Sequence, residues 1–327
     1  MKRRKFIALL GGTSAAWPLM AHAQSPAIPV IGFISSSTLQ ALGHRWTAFR
    51  QGLSAAGYVA DQNVKIEFRS AEGHYERLQD IAADLVRRQV TVIVATSTPA
   101  ALAAKAAANA IPVIFETASD PVRIGLVDNL NRPGGNVTGV TQLNVEVAPK
   151  LLELLHELVP TARVMALLVN PANSALAEPQ SRAIHSAATK FGLELHILNA
   201  SSEGDFDAVF AELIRLRAGG LVISSDSVFA GTIERLAALT LRHGIPAINQ
   251  YREFAQAGGL ISYGSDNRES YRLAGIYTGR VLKGEKPADL PVQQATRVEL
   301  YINLKTAKTL GIALPLSLSG RADELIE

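Results

Sequence analysis

Hydroxyl, amide and carboxylate side chains follow the predicted β-strands of this 327-residue chain, at the points where the strands end. The sharpest case is Ser97-Thr98-Pro99, where a capping hydroxyl is followed by proline in a first helical turn. The free backbone N–H groups of such a helix start bind anions, and a ligand carboxylate fits there. Because ligands of open parallel α/β sheets bind beyond the carboxyl ends of the strands, we predict a ligand-binding site at these ends. Its predicted residues are Ser36, Ser97, Thr98, Ser119, Asn170, Asp226, Tyr251 and Tyr263.

Charged and aromatic side chains among these strand ends indicate what the ligand carries. Asp226 and Asp120 are acidic and can hold an amine, whereas Tyr251 and Tyr263 can stack on a ring. A purely structural interpretation stays open for each residue, because Ser, Thr and Asp are also the usual helix N-caps. Asp120 precedes Pro121, which favours capping, and the two tyrosines suit a hinge or core position equally well.

The sequence contains no motif typical of catalysis. Neither Gly-x-Ser-x-Gly, the Gly-x-x-x-x-Gly-Lys-[Ser/Thr] phosphate loop nor Gly-x-Gly-x-x-Gly occurs. No two histidines have the His-x-x-x-His spacing of a helical metal site. Zero cysteine excludes disulfides, thiolate metal sites and a cysteine nucleophile. We therefore predict a protein that is not an enzyme and that uses no cofactor or metal; a secreted α/β enzyme is the alternative.

Strand-length apolar runs alternate with helical periodicity along most of the chain. Val90–Ala95 is apolar and rich in β-branched residues, as expected for a parallel sheet covered on both faces. Leu42, Trp46 and Phe49 recur at helical spacing, and a shorter helix is predicted at 120–129. The alternation restarts near Val147. Two successive series of similar size predict an α/β protein with two doubly wound, parallel-sheet lobes.

The N-terminus explains the net charge of +3, which comes from 32 Lys and Arg against 29 Asp and Glu. Basic residues at 2–5 precede the apolar run Phe6–Met20, and Ala21-His22-Ala23 matches a small-x-small cleavage site. We predict a secretory signal at 1–23, cleaved after Ala23; the twin-arginine and Sec routes both stay open. Removing it leaves 28 basic against 29 acidic residues, a net charge of −1, which argues against a nucleic-acid partner.

Several short segments together resemble a known family. They are Ile-Gly-Phe-Ile-Ser at 31–35, Ala-Thr-Ser-Thr-Pro-Ala-Ala at 95–101, Ser-Asp-Pro-Val at 119–122, the segments 131–139 and 168–171, and the C-terminal segments 302–308 and 321–323. Over residues 28–327 the chain is similar to type I periplasmic-binding proteins, and more closely to ABC transporter substrate-binding proteins of the TrpX-like family.

The resemblance implies a periplasmic receptor that closes on a small polar solute, an amino acid or related carboxylate, and delivers it to an ABC permease in the inner membrane. It implies an N-terminal lobe of residues 28–143 plus 265–291 and a C-terminal lobe of 144–264 plus 292–327, joined by a multi-strand hinge. Some relatives bind aromatic amino acids. A monomer is expected, and a sensory binding protein for a membrane receptor remains an alternative.

Overall fold

The computed structural model describes residues 28–142 and 144–327, so the predicted signal at 1–23 lies outside the described residues. The strands are β1 (Val30–Ser35), β2 (Lys65–Ser70), β3 (Val92–Thr96), β4 (Val113–Thr117), β5 (Val137–Gln142), β6 (Val164–Val169), β7 (Glu194–Asn199), β8 (Gly220–Ile223), β9 (Ala247–Asn249), β10 (Ile261–Ser265), β11 (Gln293–Ala295), β12 (Val298–Asn303) and β13 (Glu324–Ile326). The helices are α1 (Leu39–Leu42), α2 (His44–Ala55), α3 (Leu78–Arg87), α4 (Thr98–Ala107), α5 (Asn144–Leu158), α6 (Ser174–Phe191), α7 (Phe206–Leu216), α8 (Ser227–Gly231), α9 (Ile233–Arg242), α10 (Arg252–Gln256), α11 (Asn267–Leu282), α12 (Leu304–Thr309) and α13 (Leu316–Ser319).

Two sheets form, each covered by helices on both faces. The first has the strand order β11-β5-β4-β3-β1-β2 and the second the order β13-β12-β10-β9-β8-β6-β7. Every pairing is parallel except that of β10 with β12. We call each sheet with its helices the first and the second lobe. This arrangement confirms the predicted fold class, with one antiparallel pair that the sequence did not indicate.

Buried apolar side chains on both faces of each sheet make four core clusters. In the first lobe, α2 and α11 cover one face and α3 and α4 the other. In the second lobe, α5 and α6 cover one face and α7 and α9 the other. β3 and β4 are buried along their whole length, which accounts for their apolar, β-branched sequences. These strands therefore hold their carboxyl ends in fixed positions.

The chain passes between the lobes three times. It leaves the first sheet after β5, returns to the first lobe between β10 and α11, and leaves again between β11 and β12. The predicted last boundary at 291/292 is too early, because Gln293–Ala295 pairs with Val140–Gln142 in the first sheet. Three segments of the chain therefore connect the two sheets, as a multi-strand hinge requires.

The predicted helix at 120–129 is wrong, because this segment makes a single turn. The Asp120 carboxylate accepts hydrogen bonds from the backbone N–H groups of Val122 and Arg123, at 2.9 and 3.2 Å. Gly125 then adopts φ +72°, which ends the turn. Leu126 and Val127 follow in an irregular segment and pack into the first-lobe core.

Candidate functional site

The carboxyl ends of the two sheets face each other across a small buried cavity, here called the inner cavity. Its volume is about 30 Å³, far below that of a typical small-molecule site. Both lobes contribute its walls. The first lobe supplies Arg45, Thr96, Ser97, Thr98, Glu116, Gln142, Asn267 and Tyr271, and the second supplies Asn173, Leu176, Ser225, Asp226 and Tyr251.

A wider opening, the outer cleft, leads to this cavity. The outer cleft has a volume of about 680 Å³ and lies between α1 and α2 of the first lobe and α8–α10 of the second. Arg45, Tyr251 and Asn267 line both spaces. The volume of the outer cleft lies within the range of about 300–1,000 Å³ that is typical of small-molecule sites, whereas the inner cavity alone is far below it.

Two of the predicted hydroxyls, those of Ser97 and Thr98, line the inner cavity at the start of α4. The Ser97 hydroxyl accepts a hydrogen bond from the Ala100 N–H at 3.2 Å, and lies 2.7 Å from the Ser36 hydroxyl. The Thr98 hydroxyl lies 3.0 Å from that of Ser119. These hydroxyls therefore form two separate pairs, Ser36 with Ser97 and Thr98 with Ser119. Ser36 itself borders a separate cleft of about 480 Å³.

Asp226 lies at the centre of an interlobe hydrogen-bond network. Its carboxylate accepts hydrogen bonds from Asn170 Nδ2 and Asn173 Nδ2, both at 2.9 Å, and from the Val228 N–H at 2.9 Å. The Tyr75 hydroxyl, from the other lobe, donates to it at 2.7 Å. Burial raises the pKa of Asp226, and these donors act in the opposite direction. Four donors occupy this carboxylate, so little of its capacity is left for a ligand amine.

Tyr251 and Tyr263 have different positions. Tyr251 is buried beside the inner cavity, and its hydroxyl lies 3.0 Å from that of Ser225. Tyr263 is half-buried and packs against the second-lobe core with α5 and α6. Tyr263 thus takes the core position that the sequence left open for it, because the alternation of β10 turns its side chain onto the core, and it is not among the residues that line the inner cavity.

Two charged residues that we did not predict, Arg45 and Glu116, line the inner cavity. Glu116 is 5% exposed, and its carboxylate accepts a hydrogen bond from Gln142 Nε2. Burial raises its pKa to about 7, while nearby Arg45 acts in the opposite direction. Arg45 is 9% exposed and donates from Nη2 to the Ala41 carbonyl at 2.7 Å.

The sequence carried a signal for each of them. Glu116 is the one charged residue in the strand Val113–Thr117, which is otherwise buried and mostly apolar. Arg45 is three residues after Leu42 and four before Phe49, so it lies on the buried face of α2. An ionisable group in a strand or helix face that must be buried is itself a sign of a site.

Further contacts hold the lobes together around the cavity. His44 of α2 lies 2.6 Å from the Glu253 carboxylate of α10, and the Ser37 hydroxyl donates to the Ser227 carbonyl at 3.3 Å. Burial acts to raise the pKa of Glu253, but the hydrogen bond from His44, a backbone hydrogen bond and the nearby charges of His44 and Arg45 together lower it. These contacts, with Tyr75–Asp226, describe a conformation in which the two lobes touch.

Over residues 28–142 and 144–327, no three His, Asp or Glu side chains are grouped so that they could hold a metal ion. No helix within those same ranges combines the length and apolar character that a membrane span requires.

Comparison with known proteins gives concordant matches. The family described as ABC transporter substrate binding protein matches residues 11–326. A tyrosine-binding protein of Clostridioides difficile (strain R20291) is 30% identical over 265 residues, which are 80% of this chain and 75% of the relative. The two parallel-sheet lobes are those of type I periplasmic-binding proteins.

Two solved structures differ in how well they superpose. An ABC domain from Streptococcus pneumonia in complex with L-Trp has a TM-score of 0.82 at 27% identity, covering 91% of this chain and 99% of that one. The ligand-free, open structure of a substrate-binding protein with adhesive properties from Clostridium difficile has a TM-score of 0.63 at 25% identity, covering 92% and 99%. At similar identity and coverage, this chain superposes better on the L-Trp complex than on the ligand-free, open structure.

Proposed function

The chain belongs to the ABC transporter substrate-binding protein family, and we propose that it captures an amino acid between its lobes and passes it to an ABC permease. One observation carries the proposal: the polar inner cavity is walled by both lobes and contains a buried Arg45 and a buried Glu116. A ligand that contacts both walls favours the closed form by its differential affinity for that form.

An aromatic amino acid is the ligand that we favour. The relatives are named as a tyrosine-binding protein and as a complex with L-Trp, and their similarity covers most of this chain. The ring would occupy the outer cleft while the polar end enters the inner cavity. Because the inner cavity alone has a volume of about 30 Å³, the lobes must part before such a ligand enters.

The rest of the proposal concerns where and how this happens. Members of this family are exported, and we place this protein in the periplasm as a monomer after cleavage behind Ala23. The lobes are proposed to be residues 28–142 with 266–295 and residues 144–265 with 298–327, as the strand pairing divides them. The three crossings then act as the hinge on which the lobes close.

Calorimetry and thermal unfolding of the purified protein test the proposal. L-Trp, L-Tyr and L-Phe are compared with aliphatic L-amino acids, D-amino acids and sugars. At one hundred times its Kd, the correct ligand should stabilise the fold by about 2.7 kcal/mol. The ligand should be recovered unchanged, as a receptor requires and an enzyme does not. If no amino acid shifts the melting temperature and a sugar does, the proposed ligand class is wrong.

A further inference from the structure

We propose that Arg45 and Glu116 are the two charged anchors of the site, with Arg45 binding the carboxylate and Glu116 the ammonium of a free α-amino acid. This rests on the proposed function and adds the chemistry of recognition to it. The sequence had pointed to Ser97 for the carboxylate and Asp226 for the amine. The structure favours Arg45 and Glu116 for these two roles, because their charged groups still have hydrogen-bonding capacity.

The Arg45 guanidinium has unused hydrogen-bond donors. It is buried, where a cation without an anionic partner is unfavourable. A guanidinium has five N–H donors, and Arg45 uses Nη2 on the Ala41 carbonyl at 2.7 Å and Nε on the Leu42 carbonyl at 3.4 Å. Over residues 28–142 and 144–327, no carboxylate oxygen lies within 4.0 Å of it. Arg45 lines both the inner cavity and the outer cleft, and its guanidinium lies over the Tyr271 ring at 5.9 Å from the ring centroid. A planar carboxylate is the ligand group that matches the guanidinium fork.

The Glu116 carboxylate has unused capacity to accept hydrogen bonds, as the Arg45 guanidinium has unused donors. Its one hydrogen-bond donor within the described ranges is Gln142 Nε2, whereas the Asp226 carboxylate has four donors. Two further acceptors line the same cavity, Asn267 Oδ1 from the first lobe and Asn173 Oδ1 from the second, and both are buried with no donor among the described residues. An ammonium group has three N–H donors, and Glu116, Asn173 and Asn267 offer three acceptors.

Opposite charges that share one cavity without pairing select a zwitterion. Arg45 and Glu116 form no ion pair with each other within 4.0 Å in the ranges that the structure covers. A neutral sugar leaves both charges unmatched, and an amine or a carboxylic acid leaves one. The free α-amino acid neutralises both, so the site discriminates through desolvated charges as well as through shape.

Ionisation of Glu116 makes the same proposal testable by pH. Other titratable groups on the cavity wall are Arg45, Asp226, Tyr251 and Tyr271. Burial raises the pKa of Glu116 to about 7, and only its charged form attracts an ammonium. Affinity should therefore fall as the pH decreases from 8 to 6, by up to about tenfold per pH unit below the pKa. The substitution Glu116→Gln should remove this slope, whereas a slope due to Asp226 would persist.

Three ligands and two substitutions separate the anchors. The ligands for calorimetry are L-Trp, tryptamine, which lacks the carboxylate, and indole-3-propionate, which lacks the amine. We expect Glu116→Gln to weaken L-Trp binding by about 30-fold or more, with little effect on indole-3-propionate. Arg45→Gln should weaken L-Trp similarly, with little effect on tryptamine. Arg45→Lys retains a point charge without the fork and should weaken L-Trp by less.

Matched controls come from the exposed ion pair of α6, through Glu178→Gln and Arg182→Gln. Both controls should bind L-Trp as the wild type does, and the melting temperatures should show that all variants fold. Wild-type affinity in Glu116→Gln and Arg45→Gln, or an equal loss for all three ligands, overturns the anchor assignment while the proposed function stands. A wild-type protein that binds no amino acid overturns both.

Discussion

Ser97 combines an unusual backbone conformation with a position on the wall of the inner cavity. It joins β3 to α4 with φ 142° and ψ 157°, a region that residues other than glycine rarely adopt. Such a conformation costs about 1–3 kcal/mol and persists only where surrounding contacts enforce it. Its hydroxyl provides them, by capping α4 and by meeting the Ser36 hydroxyl across the strand ends. The strain lies on the wall of the inner cavity, where a precise helix start presents its N–H groups.

Glycine and alanine at position 97 should have opposite effects on stability. Ser97→Ala keeps the strained backbone and loses the cap, so it should lower the free energy of unfolding by about 1 kcal/mol. Ser97→Gly relieves the strain and should be at least about 1 kcal/mol more stable than Ser97→Ala in urea unfolding. Thr38, an exposed N-cap with φ −64°, is the control, and its glycine–alanine difference should be smaller. Equal stability of the two Ser97 variants would contradict the strain.

The contact between α2 and α11 packs the chain that follows the second crossing onto the first lobe. α11 follows the second crossing, and two glycines let it approach α2 closely. A Cβ on Gly275 would lie 2.2 Å from the Phe49 carbonyl oxygen, and one on Gly52 would lie 1.9 Å from the Arg272 carbonyl oxygen. Because both obstacles are backbone atoms, neither can move without shifting a helix.

Gly275→Ala should therefore destabilise the protein by about 1–3 kcal/mol, since it forces the two helices apart. The free energy of unfolding from urea titration measures this. Gly204→Ala is a suitable control, because a Cβ there would meet only the Ser202 hydroxyl at 3.5 Å. The control should stay within about 0.5 kcal/mol of the wild type. A Gly275→Ala variant as stable as the control would mean that the helices can separate freely.

The elements that the sequence predicted are those whose character is local. Buried strands such as Val92–Thr96 and amphipathic helices such as α3 show their period directly. The helix predicted after Pro121 does not form, because Gly125 ends the turn and the apolar residues that follow it pack in an irregular segment. β11, which has three residues and no apolar pattern, forms only because β5 offers a partner.

In the candidate site, too, some features could be predicted from the sequence and others could not. Helix-capping hydroxyls such as Ser97 follow from the strand–helix pattern alone. The sequence pattern does not show which carboxylate is free to bind a ligand. Asp226 accepts a hydrogen bond from Tyr75, which is 151 positions away in the sequence. Burial of Arg45 and Glu116 was visible in their patterns, yet their sharing of one cavity depends on how the lobes meet. Tertiary pairing, which sequence spacing does not encode, therefore decides the roles of the charged residues.

At the scale of the whole molecule, a small number of interlobe contacts set the balance between open and closed forms. Tyr75 donates across the cleft to Asp226, and burial beside that carboxylate raises the Tyr75 pKa well above its ordinary value, so the hydroxyl stays protonated. Because Tyr75 does not line the inner cavity, it acts on the ligand only through closure. Apparent affinity is the intrinsic affinity multiplied by the closed fraction, so losing this bond should weaken binding without removing a ligand contact.

Tyr75→Phe removes only the hydroxyl, so in the closed form Asp226 Oδ1 keeps two donors, Asn170 Nδ2 and the Val228 N–H, instead of three. A hydrogen bond to a charged group contributes about 1.5–3 kcal/mol, so the closed-to-open ratio should fall by roughly 10- to 150-fold and the affinity for the amino acid by up to that factor. Small-angle X-ray scattering should show a larger radius of gyration for the ligand-free variant, and saturating ligand should restore the compact form. Tyr58→Phe, which alters a tyrosine packed on the first-lobe core, should change neither quantity. If Tyr75→Phe bound as tightly as the wild type with the same dimensions, the closed form would have to be held by His44–Glu253 and the hinge instead.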